Sequence, residues 1–147
     1  MERSSKPDLN SIFADFEEAP SQRSLRSKIE NLPISADGKS LLMDLAEITL
    51  KVSGKLIAIG RKILAFALDL AHKFQNVIFG VLIALLLSVV LATIPLLGPA
   101  IAALLTPIML AFGIAKGALE DFRNMGVQTE LDALKHRLAI LSSHATA

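Results

Sequence analysis

The feature that most constrains this chain is a stretch of 42 residues, 74–115, that contains no Asp, Glu, Lys, Arg or His. A helix needs roughly 20 apolar residues to cross a hydrocarbon core that is about 30 Å thick. The stretch therefore has room for two such helices and for little else. It predicts an all-α integral membrane protein, and the 147 residues of the chain are enough for one compact unit.

A break in the middle divides this stretch into two arms. Pro95, Gly98 and Pro99 interrupt a run of Val, Ile, Leu and Ala, as a turn between two helices requires. Because the turn is so short, the arms should be antiparallel neighbours. We therefore expect a hydrophobic helical hairpin over residues 75–116. Its two helices are either transmembrane or re-entrant, since the turn carries no charge and Pro107 interrupts the second arm.

Basic residues lie on both outer flanks of the predicted hairpin, and none lies in its turn. Short cytoplasmic loops carry an excess of Lys and Arg. We therefore expect both termini on the cytoplasmic side of the membrane. The flanking residues are Lys51, Lys55, Arg61, Lys62 and Lys73 before the hairpin and Lys116 and Arg123 after it.

The segment before the hairpin, residues 36–74, repeats apolar residues at intervals of three and four. This spacing predicts one long amphipathic helix, although Ser53, Gly54 and Gly60 weaken the pattern locally. Its apolar face would rest either on lipid or on other parts of the protein. The apolar positions are Leu41, Leu45, Ile48, Val52, Leu56, Ile59, Ile63, Phe66, Leu70 and Phe74.

Residues 1–35 are rich in Ser, Pro and charge, which is typical of a flexible arm. Within this arm, Leu9, Ile12, Phe13 and Phe16 share one face of a short acidic helix. Two helical turns are marginally stable in water, so the helix would form only when docked. The pattern predicts either an intramolecular contact or a docking motif for a cytoplasmic protein partner.

The last segment, residues 117–147, predicts a C-terminal amphipathic helix and a tail. Its apolar residues follow a heptad spacing over two repeats, which is the pattern of a coiled coil. This seam would either join copies of the chain in a homo-oligomer or pack back on the helix over 40–74. The seam consists of Val127, Leu131, Leu134, Leu138 and Leu141.

Small residues recur along the two arms at helical spacing. In lipid, helices associate where small residues allow their backbones to approach closely. The pattern therefore predicts helix packing, either within one hairpin or between copies of the chain. The residues are Gly80, Ala84, Ser88 and Ala92 on the first arm, and Gly113 and Gly117 at the end of the second.

Little in the sequence points to chemistry. There is no cysteine, no phosphate-binding loop and no catalytic triad pattern, so we expect no catalytic residue, metal or cofactor. The net charge of +1 does not suggest a nucleic-acid partner. Arg137 and His144, with six residues between them, resemble the Arg–His motif of HEPN ribonucleases, a helical and often dimeric family. That resemblance implies a ribonuclease as a minor alternative.

The arms also lack the buried ionisable residues that mark ion pathways, which argues against a transporter or a selective channel. We expect a small membrane protein that assembles into a pore, or into a membrane-disrupting or membrane-shaping oligomer. An uncharged hairpin beside amphipathic helices resembles the inserting unit of pore-forming toxins of the colicin type. The alternatives are a membrane-anchored adaptor that recruits a partner through its N-terminal arm, and a soluble form that hides the hairpin until it is triggered.

Overall fold

The computed structural model describes residues 11, 12, 14, 20–74, 79–113 and 127–146. Helices dominate these residues, which confirms the predicted all-α class, and one small sheet accompanies them. The helices are α1 (Gln22–Glu30), α2 (Ala36–Ala46), α3 (Ile59–Lys73), α4 (Phe79–Thr93), α5 (Gly98–Ala111) and α6 (Val127–Ser143), and the strands are β1 (Leu50–Val52), β2 (Lys55–Ile57) and β3 (Ala145–Thr146).

The predicted single helix over residues 36–74 is wrong. The structure has α2, a β-hairpin of β1 and β2, and α3 in its place. Ser53 and Gly54 form the two-residue turn, and both have positive φ, 52° and 85°. A tight hairpin turn favours this backbone, which a helix cannot contain. The apolar spacing misleads here because Val52 is buried on β1 whereas Leu56 is 69% exposed on β2.

The β-hairpin brings the start of α3 back against the end of α2. The Gly60 N–H donates a hydrogen bond to the carbonyl oxygen of Ile48, at 2.9 Å. At Gly60 the two backbones are so close that a Cβ atom would overlap the carbonyl oxygen of Leu45. The glycine is therefore required by the packing of α3 on α2, rather than by its own φ.

The short sheet also holds the other end of the chain. Strand β3 pairs antiparallel with β1 on the side away from β2, so the strand order is β2–β1–β3. Beside this pairing, the Ser53 N–H donates to the carbonyl oxygen of His144 at 3.1 Å. The C-terminal end of α6 is thereby joined to the loop between α2 and α3.

Helix α4 lies at the centre of the described structure. Every residue from Gly80 to Leu87 is buried, and so is Val90. Helices α3, α5 and α6 all pack against it. A helix that is apolar on all sides must be enclosed, and here the enclosure comes from other parts of the same chain.

The turn of the apolar stretch lies where the prolines and glycine predict it. Pro95–Leu97 form one short 3-10 turn, and α5 begins at Gly98 with Pro99 in its first turn. The two arms pack against each other, as predicted, but their antiparallel alignment is oblique, because the direction of the chain changes by 118° rather than by the roughly 160° of bundle neighbours. Ile94 and Leu97 are buried, so the turn is anchored in the core.

The close approach at Gly60 can be tested against a second glycine. We expect Gly60→Ala to lower the free energy of unfolding by about 1–3 kcal/mol, because the added methyl group overlaps backbone. Gly38→Ala is the matched control, since Gly38 lies within helix α2 and the nearest atom to an added Cβ is Ser35 Oγ at 3.4 Å, an ordinary contact. Denaturant titration measures both variants. Equal losses would contradict this account of the α2–α3 contact.

Candidate functional site

The candidate site is the apolar hairpin, which we define as α4, the 3-10 turn and α5. No single helix among the described residues is both long and apolar enough to cross a bilayer. Helix α4 has 15 residues and α5 has 14. The two together, with the turn, meet that requirement as one bent pair, either as a broken span or as a re-entrant loop.

Two amphipathic helices cover the first arm of the apolar hairpin. Helix α3 buries Ile63, Leu64, Ala67 and Leu70 and carries its charged residues on other faces. Helix α6 packs on another side of α4. Within the described residues, no polar or charged side chain is buried. The buried part of α4, from Gly80 to Leu87, therefore has apolar surroundings, whereas Ser88 and Ala92 border a pocket that Gln128, Asp132 and Lys135 of α6 also line.

The predicted oligomer seam is filled within one chain. All five of its residues are buried, and α6 packs against α4. In this conformation the seam has no free surface to offer to a second copy. A heptad stripe specifies an apolar face but not its partner, and α4 offers an apolar partner in the same chain. The seam residues are Val127, Leu131, Leu134, Leu138 and Leu141.

The small residues on α4 divide between buried and open positions. Gly80 and Ala84 are buried, Ser88 is half-buried, and Ala92 is exposed. A Cβ atom at Gly80 would overlap the Phe112 side chain, so this glycine lets the end of α5 pack closely on α4. The Ser88 hydroxyl donates to the Ala84 carbonyl oxygen at 2.9 Å, which satisfies it within the helix.

Of the two glycines at the end of the second arm, the structure describes Gly113. Gly113 follows α5 with a φ of 69°, and nothing lies within 4 Å of a Cβ built on it. A glycine in this conformation is a common way to end a helix. Gly117 lies outside the described residues.

One face of α5 is apolar and open to solvent. Leu110 is 76% exposed and Leu96, in the preceding turn, is 48% exposed. No charged side chain lies anywhere between Phe79 and Gly113. An exposed apolar face of this kind is typical of a surface that contacts a membrane or another protein. Between the two leucines the face continues with Pro99, Ala100, Ala102, Ala103 and Thr106.

A groove borders this face on the side of α2. It has a volume of about 470 Å³ and is lined by Asp37, Ser40 and Leu41 from α2, and by Pro107, Leu110 and Ala111 from α5. The apolar face of α5 thus ends at a polar edge, where Asp37 and Ser40 are exposed.

The N-terminal docking motif falls mostly outside the described residues. Leu9, Phe13 and Phe16 are among those that are not described. Ile12 is 1% exposed and belongs to the core, as do Leu25 and Ile29 of α1. At Ile12, therefore, the apolar face makes an intramolecular contact, which is one of its two predicted roles.

The residues of the Arg–His pattern lie at the C-terminal end. Arg137 is half-buried on α6, and His144 is exposed just beyond it. The His144 Nδ1 atom lies 3.1 Å from the carbonyl oxygen of Ile140 and 3.2 Å from Ser143 Oγ. These are local contacts at a helix end. Among the described residues, no three His, Asp or Glu side chains are grouped so that they could hold a metal ion.

Two contacts of α6 are not apparent from sequence patterns. Lys73 at the end of α3 forms an ion pair with Glu130 in the first turn of α6, with the Nζ and Oε2 atoms 3.0 Å apart. Strand β3, only two residues long, joins α6 to β1. An ion pair across 57 positions and a two-residue strand leave no periodic signal in the sequence.

No protein family matches this sequence, and no curated protein or solved structure matches it either.

The burial of the α6 seam within one chain has a measurable consequence. We expect Leu138→Ala to lower the free energy of unfolding by about 2–5 kcal/mol, because Leu138 is fully buried and the change leaves a cavity in the core. The loss should be the same across a wide range of protein concentrations. Ala133→Ser, at an exposed position on α6, is the control and should change stability little. A loss that shrinks as the protein is concentrated would show that the seam joins separate chains.

Proposed function

We propose that this chain is a membrane-inserting helical protein, in which the apolar hairpin is the inserting unit. In the conformation described above, α3, α5 and α6 enclose α4, and insertion of the hairpin requires α4 to exchange α3 and α6 for lipid. Several inserted copies would then form a pore, or a membrane-disrupting or membrane-shaping oligomer. The observation that carries the proposal is a central helix without any polar face, joined to a second helix whose outer face is apolar and exposed.

The free energy of such an exchange supports the proposal. Helix α4 satisfies its backbone hydrogen bonds internally and has no charge to bring into the hydrocarbon. Its apolar side chains lose little when lipid replaces protein around them, because lipid tails are as apolar as Leu. Helices α3 and α6 would lose their partner, but an amphipathic helix can lie in the interface with its apolar face in the acyl chains.

The length of the helices bears on how deep the hairpin goes. Fifteen residues of α-helix span about 22 Å, which is less than the roughly 30 Å of hydrocarbon. Val77, Ile78 and Ile94 are apolar, and Gln75 and Asn76 are polar but uncharged, so an arm extended by these residues would reach the required length with its polar end at the interface. Without that extension, the bent pair enters one leaflet as a re-entrant wedge.

Assembly in the membrane follows from the same exchange. Once α4 leaves α6, the five-residue seam on α6 has no partner in its own chain, and a second copy can supply one. The hairpin offers no charged or strongly polar side chain to select an ion. An opening formed by several copies would therefore be unselective or lined by lipid.

The exposed face of α5 provides the sharpest test. We expect Leu110→Asp to reduce dye release from vesicles of phosphatidylcholine and phosphatidylglycerol at least tenfold. An acidic residue costs roughly 2.5–3.5 kcal/mol inside a bilayer, and about 1.4 kcal/mol corresponds to a factor of ten. Leu56→Asp is the matched control, because Leu56 is 69% exposed on β2, far from the apolar hairpin in sequence, and the net charge changes equally.

Three results would contradict the proposal. One is a wild-type chain that neither binds these vesicles nor releases dye. Another is an equal loss for Leu110→Asp and Leu56→Asp, which would assign the effect to charge alone. Vesicle binding without release, in a chain that also leaves membrane potential unchanged in cells, would favour the adaptor, in which the hairpin is only an anchor.

A further inference from the structure

We propose that α6 is an autoinhibitory cover over α4, and that the pairing of β3 with β1 is the latch that holds it shut. The inference rests on the proposed function, since it concerns the control of the same apolar hairpin. Release of the latch lets α6 swing away and exposes α4 to lipid. Three features support this role: the packing of α6 on α4, the two polar attachments of α6, and the pocket between α6 and α4.

Helix α6 is the least integrated of the helices that enclose α4. Helix α3 also packs against α1 and α2, and α5 also packs against α2. The packing of α6 is mainly with α4. Removing α3 or α5 from α4 would therefore disrupt several helix contacts, whereas removing α6 disrupts chiefly the one that covers α4.

The contact between α6 and α4 is also incompletely filled. A partly open pocket of about 130 Å³ lies between them. It is lined by Leu85, Ser88, Val89 and Ala92 of α4 and by Gln128, Leu131, Asp132 and Lys135 of α6. Side chains that border such a pocket make fewer dispersion contacts than those in a close-packed core. The apolar contact alone thus holds α6 less firmly than a fully packed interface would.

Two polar attachments hold α6 at its ends. At its start, the ion pair of Lys73 with Glu130 is exposed, with 62% and 32% of the side-chain surface accessible, so water screens it and it contributes little. At its end, β3 pairs with β1, and Ser53 donates to the His144 carbonyl oxygen. Backbone pairing of this kind fixes both position and register. The strand is therefore the latch, and the ion pair is secondary.

A disulfide across the strands can lock the latch. Val52 and Ala145 are directly opposite each other in the β1–β3 register. The hydrogen bond from Ser53 to His144 makes the next pair a hydrogen-bonded one, so Val52 and Ala145 form a non-hydrogen-bonded pair, with Cα atoms roughly 4.5 Å apart. That distance suits a disulfide. The chain has no other cysteine to interfere.

The first experiment compares the Val52→Cys/Ala145→Cys chain in its oxidised and reduced forms. We expect oxidation to slow dye release from the same vesicles at least tenfold, and reduction to restore the rate. The Val52→Cys single variant, treated with the same oxidant, is the control and should not respond. Equal release by both forms of the double variant would overturn the latch while leaving the proposed function intact.

A second readout needs no membrane, so it separates a failed latch from a failed function. Hydrogen exchange of α4 amides in solution reports how often α4 is uncovered. We expect oxidation to slow this exchange at least tenfold, and Thr146→Pro, which removes an N–H of β3, to speed it. Thr146→Ala keeps that N–H and should leave exchange unchanged. Exchange of α4 that is insensitive to oxidation and to Thr146→Pro would overturn the proposal, whatever the vesicles show.

Discussion

Helix α4 has no polar face, and this constraint decides where the other helices lie. Its fifteen residues are Phe, Val, Leu, Ile, Ala, Gly, Ser and Thr, so most of its surface needs an apolar neighbour, and only Ala92 is exposed. Helices α3, α5 and α6 supply those neighbours from one chain. The apolar faces of these helices pack together because the alternative is contact with water. Another apolar medium would remove that reason. A bilayer is such a medium, and α4 has no charge and no unpaired backbone group within the helix that would oppose its transfer into the hydrocarbon.

The remaining elements follow from the need to enclose α4 with short helices. The turn at Ser53 and Gly54 reverses the chain so that α3 returns against α2, and Gly60 lets the two backbones approach. The 118° bend after α4 leaves α5 with one face against the core and one face exposed. Strand β3 then holds the cover helix α6 at the same small sheet. The sheet is small, but it connects the end of α6 to the segment between α2 and α3.

Sequence patterns predict which residues of these elements are buried better than they predict which elements pack against each other. The charge-free stretch, its break at Pro95–Pro99 and the buried stripe of α6 are all visible in the order of residues, because burial needs apolar side chains at fixed intervals. The same intervals gave a wrong prediction over residues 36–74. A two-residue β-turn can interrupt a chain without changing the helical spacing of its apolar residues. Here only the Ser53-Gly54 pair indicates the turn. They also could not show that α6 packs with Leu131 towards α4 rather than towards another copy, or that Gly80 makes room for Phe112, because an apolar stripe does not specify its partner.

The central claim is that α4 exchanges protein for lipid, and tryptophan quenching measures this most directly. The chain has no Trp, and Val89 is half-buried beside the pocket between α4 and α6, which gives Val89→Trp room for its ring. With vesicles whose acyl chains carry bromine near their ends, the account predicts that Val89→Trp fluorescence is quenched. Leu110→Trp, on the exposed face of α5, is the comparison for surface contact. Quenching of Leu110→Trp without quenching of Val89→Trp would show that the protein docks on the membrane while α4 stays enclosed, and would contradict the account.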